Sequence, residues 1–254
     1  MQTPDGKDII PGCEPWSAPG GPHGVLVLHG FTGNPQSMRG LAAACASAGF
    51  AVDLPLLPGH GTSVADLATT SWADWSDAAA DAYRSLAARV DTVVVAGLSM
   101  GGSLTAWLAS RHPEIAGIVC INPVVSVPDE TVAALRDLVA GGVDQVPSIG
   151  GDVADPAGQE KAYDATPLAP LLSLAAGADD LRADLAKIEC PVLIMTSPED
   201  HVVEPVNSDL MADAVSGPVE RVTLERSYHV ATLDYDKDLI NERAVEFARR
   251  VTAA

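Results

Sequence analysis

Two rhythms of apolar and polar positions alternate along this chain. Short, uninterrupted apolar runs are separated by longer stretches in which apolar residues recur three and four positions apart. Val25-Leu26-Val27-Leu28 is bounded by turn residues and is predicted to be a buried strand. Ala51 to Leu54, Thr92 to Ala96, Ile115 to Ile121, Val192 to Thr196 and Val219 to Leu224 read the same way. Between them lie helical patterns. Asn34 is a predicted N-cap with Pro35 at the first helical position, and Met38, Leu41, Ala42 and Cys45 then share a face. Ser71 opens a second helix, with Asp74 three residues on. Trp72, Trp75, Ala79, Ala82 and Leu86 follow at helical spacing, which assigns both tryptophans to the core rather than to a ligand. A third helix passes through Leu104, Trp107 and Leu108 to Arg111, and a closing helix carries Ile240, Ala244, Phe247 and Val251. Strands alternating with helices predict an α/β fold with a mostly parallel central sheet and helices on both faces.

The rhythm breaks between Pro128 and about Leu174. A short amphipathic helix (Val132, Leu135, Leu138, Val139) precedes a glycine-rich, acidic passage with no evident sheet strand. Irregular segments of this length inside a compact domain are usually functional. Residues 128–174 are therefore expected to form a small cap over a core made of residues 1–127 and 175–254.

Composition narrows the function classes. At 254 residues and 47% hydrophobic, the chain can bury a sizeable core and does not read as disordered. With 15 basic and 34 acidic residues the formal net charge is −19, which repels phosphate backbones and argues against nucleic acid and against charge-driven docking on anionic membranes. No apolar stretch reaches the length of a membrane span, and Met1 to Pro15 lacks the apolar core of a signal peptide. Cys13, Cys45, Cys120 and Cys190 are widely separated and read as free, buried thiols of a cytoplasmic protein. There is no G-x-G-x-x-G, no Walker loop and no H-E-x-x-H, and the histidines do not pair at ligand spacing. Neither a cofactor nor a metal is expected.

Chemistry enters at Gly97-Leu98-Ser99-Met100-Gly101, which fits G-x-S-x-G with a predicted strand before it and a helix after it. Glycines on both sides let the chain reverse sharply, so the Ser99 hydroxyl projects from the strand end. The helix that follows offers its positive N-terminus to a developing oxyanion. A serine needs a base, and in this architecture the order is Ser…Asp…His. Of the six histidines, His229 alone follows the last strand. His29 and His60 sit in glycine-rich turns and are expected to order those loops, His112 precedes Pro113, and His201 adjoins an acid. For the acid, Asp200 follows the strand Val192–Thr196 and is favoured over Glu199, with Asp234 as the rival close to His229. Oxyanion donors are backbone amides. Met100 follows the nucleophile, and Phe31 is the best candidate in the loop His29-Gly30-Phe31.

The chain resembles the bacterial monoacylglycerol lipases and related carboxylesterases of the α/β-hydrolase superfamily. The resemblance rests on His29-Gly30-Phe31-Thr32-Gly33, Gly59-His60-Gly61-Thr62, Gly97-Leu98-Ser99-Met100-Gly101-Gly102, Asp200-His201-Val202-Val203 and Ser227-Tyr228-His229-Val230-Ala231-Thr232-Leu233-Asp234, and spans nearly the whole chain from about Val25. It implies an α/β-hydrolase fold, Ser99, Asp200 and His229 as triad, and Phe31 and Met100 as oxyanion donors. It also implies a small-molecule lipid ester as substrate. Ser148-Ile149-Gly150 and Glu160-Lys161-Ala162-Tyr163 look like the family's cap segments, which places Ile149 and Glu160 at the substrate pocket. Lys161 stands where an apolar residue is expected. The implied activity is cleavage of monoacylglycerols through an acyl-enzyme. The alternatives are a general short- to medium-chain carboxylesterase and a non-catalytic ligand-binding version of the fold; the intact Ser, Asp and His set argues against the latter.

Overall fold

The computed structural model describes residues 1–148 and 151–253. Among the described residues there are nine strands: β1 Trp16–Ala18, β2 His23–Leu28, β3 Ala51–Leu54, β4 Thr92–Leu98, β5 Gly117–Ile121, β6 Gln145–Pro147, β7 Ala165–Pro167, β8 Val192–Thr196 and β9 Val219–Thr223. The α-helices among the described residues are α1 Pro35–Ser47, α2 Val64–Leu67, α3 Trp72–Ala87, α4 Met100–Ala109, α5 Asp129–Ala140, α6 Leu168–Asp184, α7 Val206–Ala214 and α8 Lys237–Thr252. Seven strands form one sheet in the order β1-β3-β2-β4-β5-β8-β9. Only β1 runs antiparallel within it, against β3.

The alternation of side chains along the central strands divides the core in two. Leu26, Leu28, Val93, Val95, Ile118, Cys120, Val192 and Ile194 face a cluster completed by Trp75, Leu86, Leu104, Leu108, Leu174 and Leu181 of α3, α4 and α6. The intervening residues Val25, Val27, Val94, Ala96, Val119, Ile121, Leu193 and Met195 face Met38, Leu41, Cys45, Ile240, Ala244 and Phe247 of α1 and α8. Both faces are covered, which is why these strands read as continuous apolar runs.

The predicted Asn34 cap and the predicted helix start at Ser71 are present. The Asn34 side chain accepts the Gln36 amide with Pro35 at the helix start, and Ser71 and Asp74 form a capping box on α3. Trp75 is fully buried, while Trp72 is partly exposed and packs on the α3 side of the core. β1, α6 and α7 had no counterpart in the sequence reading. Between β5 and β8 two short strands do occur, contrary to expectation: β6 and β7 pair antiparallel, separate from the main sheet. Position 174 falls inside α6. None of the α5 residues is buried.

The chain moves from β2 outward to β3, then back across to β4 on the other side of β2. The C-terminal ends of β2 and β4 therefore flank a topological switch point, where open α/β sheets bind ligands. The packing there is backbone against backbone. A Cβ on Gly101 would lie 2.2 Å from the Leu28 carbonyl oxygen, and one on Gly97 would lie 2.1 Å from the Gly101 carbonyl oxygen. Gly101→Ala is expected to destabilise the protein by about 3 kcal/mol or more, because no side chain can move aside to admit the methyl group. Urea denaturation measures this directly; an unchanged midpoint would show that β2 and α4 can separate without penalty.

Candidate active site

Phe31, Ser99, Asp200 and His229 follow the C-terminal ends of β2, β4, β8 and β9, and Glu160 lies between β6 and β7. Ser99 links β4 to α4 with φ 56° and ψ −121°. Its amide donates to the Ile121 carbonyl at 2.9 Å, and its carbonyl accepts the Ser103 amide at 3.0 Å. Among the described residues, the non-glycine residues with positive φ are Thr32, Ser99 and Asn122, which follow β2, β4 and β5. Backbone strain of this kind persists only where surrounding structure enforces it, and it concentrates at functional sites.

Asp200 lies on the loop after β8, and His229 on the loop after β9. His229 Nδ1 donates to Asp200 Oδ2 at 2.7 Å, with the two side chains 9% and 1% exposed. The other oxygen, Asp200 Oδ1, accepts the amides of Val202 and Val203, both at 2.8 Å. The carboxylate is thus held in place by three donors, and the bond to Nδ1 sets the imidazole tautomer in which Nε2 is the acceptor. Asp234, the rival acid, is fully committed elsewhere. It is completely buried and its two oxygens accept the amides of Ala154, Asp155, Tyr228 and Tyr235. Asp234 shapes the histidine loop but does not bond His229.

Ser99 and His229 line one cavity of about 440 Å3, within the range of small-molecule sites. Gly30 and Phe31 line it beside them. A Cβ on Gly30 would touch Ser99 Cβ at 3.4 Å, so the loop after β2 passes against the serine. Met100 is the first residue of α4, and its amide belongs to the helix's unpaired first turn. The cavity wall is largely apolar, with Val127, Leu135, Val146, Leu171 and Leu174 among its residues, and Glu160 supplies a carboxylate. Leu135 reaches the cavity from α5, but Leu138 is 40% exposed and does not line it. Ile149 lies outside the described residues.

Glu160 is shielded from bulk solvent while part of its surface faces the cavity. Burial pushes its pKa above the usual carboxylate value, opposed by the charge of His229 and a hydrogen bond with Ser37. Gly33 and Gly151 make room for it: a Cβ on either would come within 2.8 Å of Glu160. Lys161 turns away from the cavity, its Nζ donating to the Pro11 carbonyl at 2.6 Å. Among the described residues no group of three or more His, Cys, Asp or Glu is placed to hold a metal ion.

His29 and His60 hold the loops, as expected. His29 Nδ1 donates to the Gly30 carbonyl at 2.9 Å and its Nε2 accepts the Leu57 amide at 3.1 Å. His60 Nδ1 donates to the Pro58 carbonyl at 2.9 Å, and its ring lies among His29, Phe31 and Trp75. Two polar groups were not singled out in the sequence. Asn122 donates through Nδ2 to Ser197 Oγ at 3.0 Å and to the His229 carbonyl at 2.9 Å. Asp152 accepts the amides of His201 and His229. His201 is exposed, and its pairing with Asp152 raises its pKa above the ordinary histidine value.

With this geometry in place, comparison with known proteins adds the family. The model of the α/β-hydrolase family matches residues 25–243. The chain belongs to the α/β-hydrolase family. It is 47% identical to the thermostable monoacylglycerol lipase of Bacillus sp. (strain H-257) over 244 residues, covering 94% of this chain and 95% of that one. It is 27% identical to a carboxylesterase of Bacillus subtilis (strain 168) over 241 residues, 94% of this chain and 97% of that one. Among solved structures, one from the metagenome-derived lipolytic enzymes LipS and LipT aligns with a TM-score of 0.92 at 42% identity, over 96% of this chain and 100% of that one. The fold expected from the sequence is thereby borne out, as is the likeness to this branch of the family.

Burial holds His29 and His60 neutral. Desolvation pushes the pKa of His29 down from 6.5 to about 3, helped by the neighbouring His60, and that of His60 down to about 4. As pH falls the unfolded chain takes up these protons first, so stability is complete above about 6.5 and is lost as pH drops toward 4 and 3. Calorimetry is expected to show Tm falling over that interval. Carboxylates contribute to the same fall, so the specific readout is His60→Gln, which should start from a lower Tm at pH 8 but decline less steeply. An equally steep decline would remove His60 from the acid response.

Proposed function

We propose that the protein is a serine hydrolase that cleaves monoacylglycerols to fatty acid and glycerol through an acyl-enzyme. Ser99 Oγ attacks the ester carbonyl carbon while His229 Nε2 takes the hydroxyl proton. Asp200 orients the imidazole and stabilises the cation that forms. The amides of Phe31 and Met100 receive the oxyanion, one from the loop after β2 and one from the start of α4. Collapse of the tetrahedral adduct breaks the ester bond, and glycerol leaves with the proton from His229. Water, deprotonated by the same nitrogen, then releases the fatty acid and restores Ser99. The steps as drawn need neither metal nor cofactor.

The single observation that carries this reading is the 2.7 Å bond from Asp200 to His229, a histidine that lines the same cavity as the strained Ser99. The substrate class is supported by the 47% identity to a monoacylglycerol lipase and by the cavity's composition. Val127, Leu135, Leu171 and Leu174 suit an acyl chain, and Glu160 suits the glycerol hydroxyls. Buried hydroxyls without partners would cost about 1–3 kcal/mol each, so a polar group is required at the alcohol end. We read residues 128–174 as the cap that supplies these walls, with Ile149 as a further contact to the acyl chain. No helix among the described residues is long and apolar enough to cross a membrane. With its four cysteines free, the protein suits a cytoplasmic setting, acting on a small lipid ester.

Ser99→Ala is expected to leave a folded protein with hydrolysis reduced by about a thousandfold or more, and Asp200→Asn and His229→Ala to be severe, since the triad acts as a unit. If Asp234→Asn lowered activity more than Asp200→Asn, the acid would be misassigned. Substrate choice is tested at Glu160. Glu160→Ala is expected to lower kcat/KM for monoacylglycerols by about tenfold or more, with nitrophenyl esters of the same acid little changed. Equal losses on both substrates would leave Glu160 only supporting the cap. No loss on either would favour the general carboxylesterase.

A further inference from the structure

His229 is held not only through its ring. Its backbone carbonyl accepts Asn122 Nδ2 at 2.9 Å from below, and its backbone amide donates to Asp152 Oδ2 at 3.1 Å from the other side. The same Asp152 oxygen accepts the His201 amide at 3.2 Å, and Asp152 Oδ1 accepts His201 Nδ1 at 2.9 Å. The Asp152 carbonyl accepts the Val230 amide at 3.0 Å. One residue of the segment between β5 and β8 thus bonds the position after Asp200, His229 itself and the position after His229.

We propose that Asp152 is a positioning residue, whose carboxylate clamps the Asp200–His201 loop to the His229 loop and so sets the Asp200–His229 pair. The two loops rise from different strands, β8 and β9, and meet above the sheet. Beneath them Ser197 Oγ donates to the Tyr228 carbonyl at 2.9 Å, and Asn122 ties Ser197 to His229. Asp152 closes the upper side of this frame. The clamp takes three donors at once, two of them backbone amides. Only a short carboxylate, or an amide oxygen with a tautomer change at His201, can meet them from this distance. The Asp152 side chain is 10% exposed and His229 7%, so loss of the carboxylate leaves the His229 amide shielded and unpaired, and the loop must shift to regain a partner. A shift of that loop misaligns the imidazole with both Asp200 and Ser99, and small misplacements of reacting groups are costly in rate. On this account part of the cap segment belongs to the catalytic framework as well as to the substrate wall.

The proposal rests on the triad reading above, and the experiment separates the two. Kinetics on a short-chain nitrophenyl ester are measured per active site, titrated with an organophosphonate, for Asp152→Ala, Asp152→Asn, Asp152→Glu and His201→Gln. Asp152→Ala is expected to lower kcat by about tenfold or more with KM within about twofold. Asp152→Asn should stay within about threefold of the wild type, because its oxygen keeps both amides and its NH2 can face His201 Nδ1. Asp152→Glu keeps the charge but lengthens the arm, and should lose more than Asp152→Asn. The reverse order would assign Asp152 an electrostatic role and overturn the clamp. His201→Gln should be nearly normal, since the backbone bonds persist; a loss as large as that of Asp152→Ala would also overturn it. If Asp152→Ala fails to fold, the order of the Asn and Glu variants still decides. A lower Tm with unchanged kcat per titrated site would reduce Asp152 to a purely structural group. Ser99→Ala run alongside keeps the failures apart. Activity surviving there sinks the triad reading, whereas a silent Ser99→Ala with an unimpaired Asp152→Ala sinks only the clamp.

Discussion

The close approach of backbone to backbone where β4 turns into α4 is the constraint on which the rest of the site depends. Gly97 packs on the Gly101 carbonyl, and Gly101 packs on the carbonyl of Leu28 at the end of β2. This draws the start of α4 against two strands at once and leaves Ser99 with a left-handed φ of 56°. Strain of that kind costs about 1–3 kcal/mol. α4 offsets it because Met100, Leu104 and Leu108 are completely buried, each contributing about 1.5–3 kcal/mol. The same approach brings the loop after β2 against Ser99, so the two proposed oxyanion amides and the nucleophile are placed by one packing event rather than by three.

The parts of this fold that were legible in the sequence are those where burial is two-sided or a cap is local. Val25–Leu28 and Val192–Thr196 are covered on both faces, so nearly every position is apolar and the strand ends are sharp. Asn34-Pro35 and Ser71 with Asp74 announce helix starts through bonds made within a single turn. β1 and the β6–β7 pair are only three residues each, too short for alternation to emerge. α6 was missed for a different reason. Leu171 and Leu174 line the cavity, while Leu168 and Leu181 are fully buried, so its apolar positions form no single stripe.

The site divides in the same way. Ser99, Asp200 and His229 carry motifs because chain order and glycine spacing reflect the turn and the loops they occupy. Asp152 and Asn122 carry none. Their partners are chiefly backbone amides, carbonyls and small polar groups contributed by distant strands, and no residue type is required of the partner in return. Among 34 acids, an acid that accepts amides from two remote loops looks like any other. Asn122 did have a latent signal, a polar residue directly after the buried strand β5, and its φ of 44° is one that asparagine tolerates better than most residues. Position alone could not tell which loop it would bind.

The two walls of the cavity are fastened by different physics. The Glu160 wall is stapled to the core by directional bonds. Asn34 Nδ2 donates to the Lys161 carbonyl, Gln36 bonds both the Gln159 carbonyl at 2.8 Å and the Lys161 amide at 3.1 Å, and Tyr163 Oη takes the Thr62 amide at 2.8 Å while donating to the Gly59 carbonyl at 2.9 Å. The opposite wall includes Leu135 of α5, a helix with no buried residue. Hydroxyls are recognised by hydrogen bonds, which weaken steeply as their angles and distances drift. An acyl chain is held by burial, which is non-directional. A wall that must meet hydroxyls therefore has to be rigid, and a wall that only excludes water from methylenes does not. The proposed substrate makes those two demands at its two ends, and the proposed placement answers them: the hydroxyls are assigned to the wall held by directional bonds, and the acyl chain to the wall that includes Leu135.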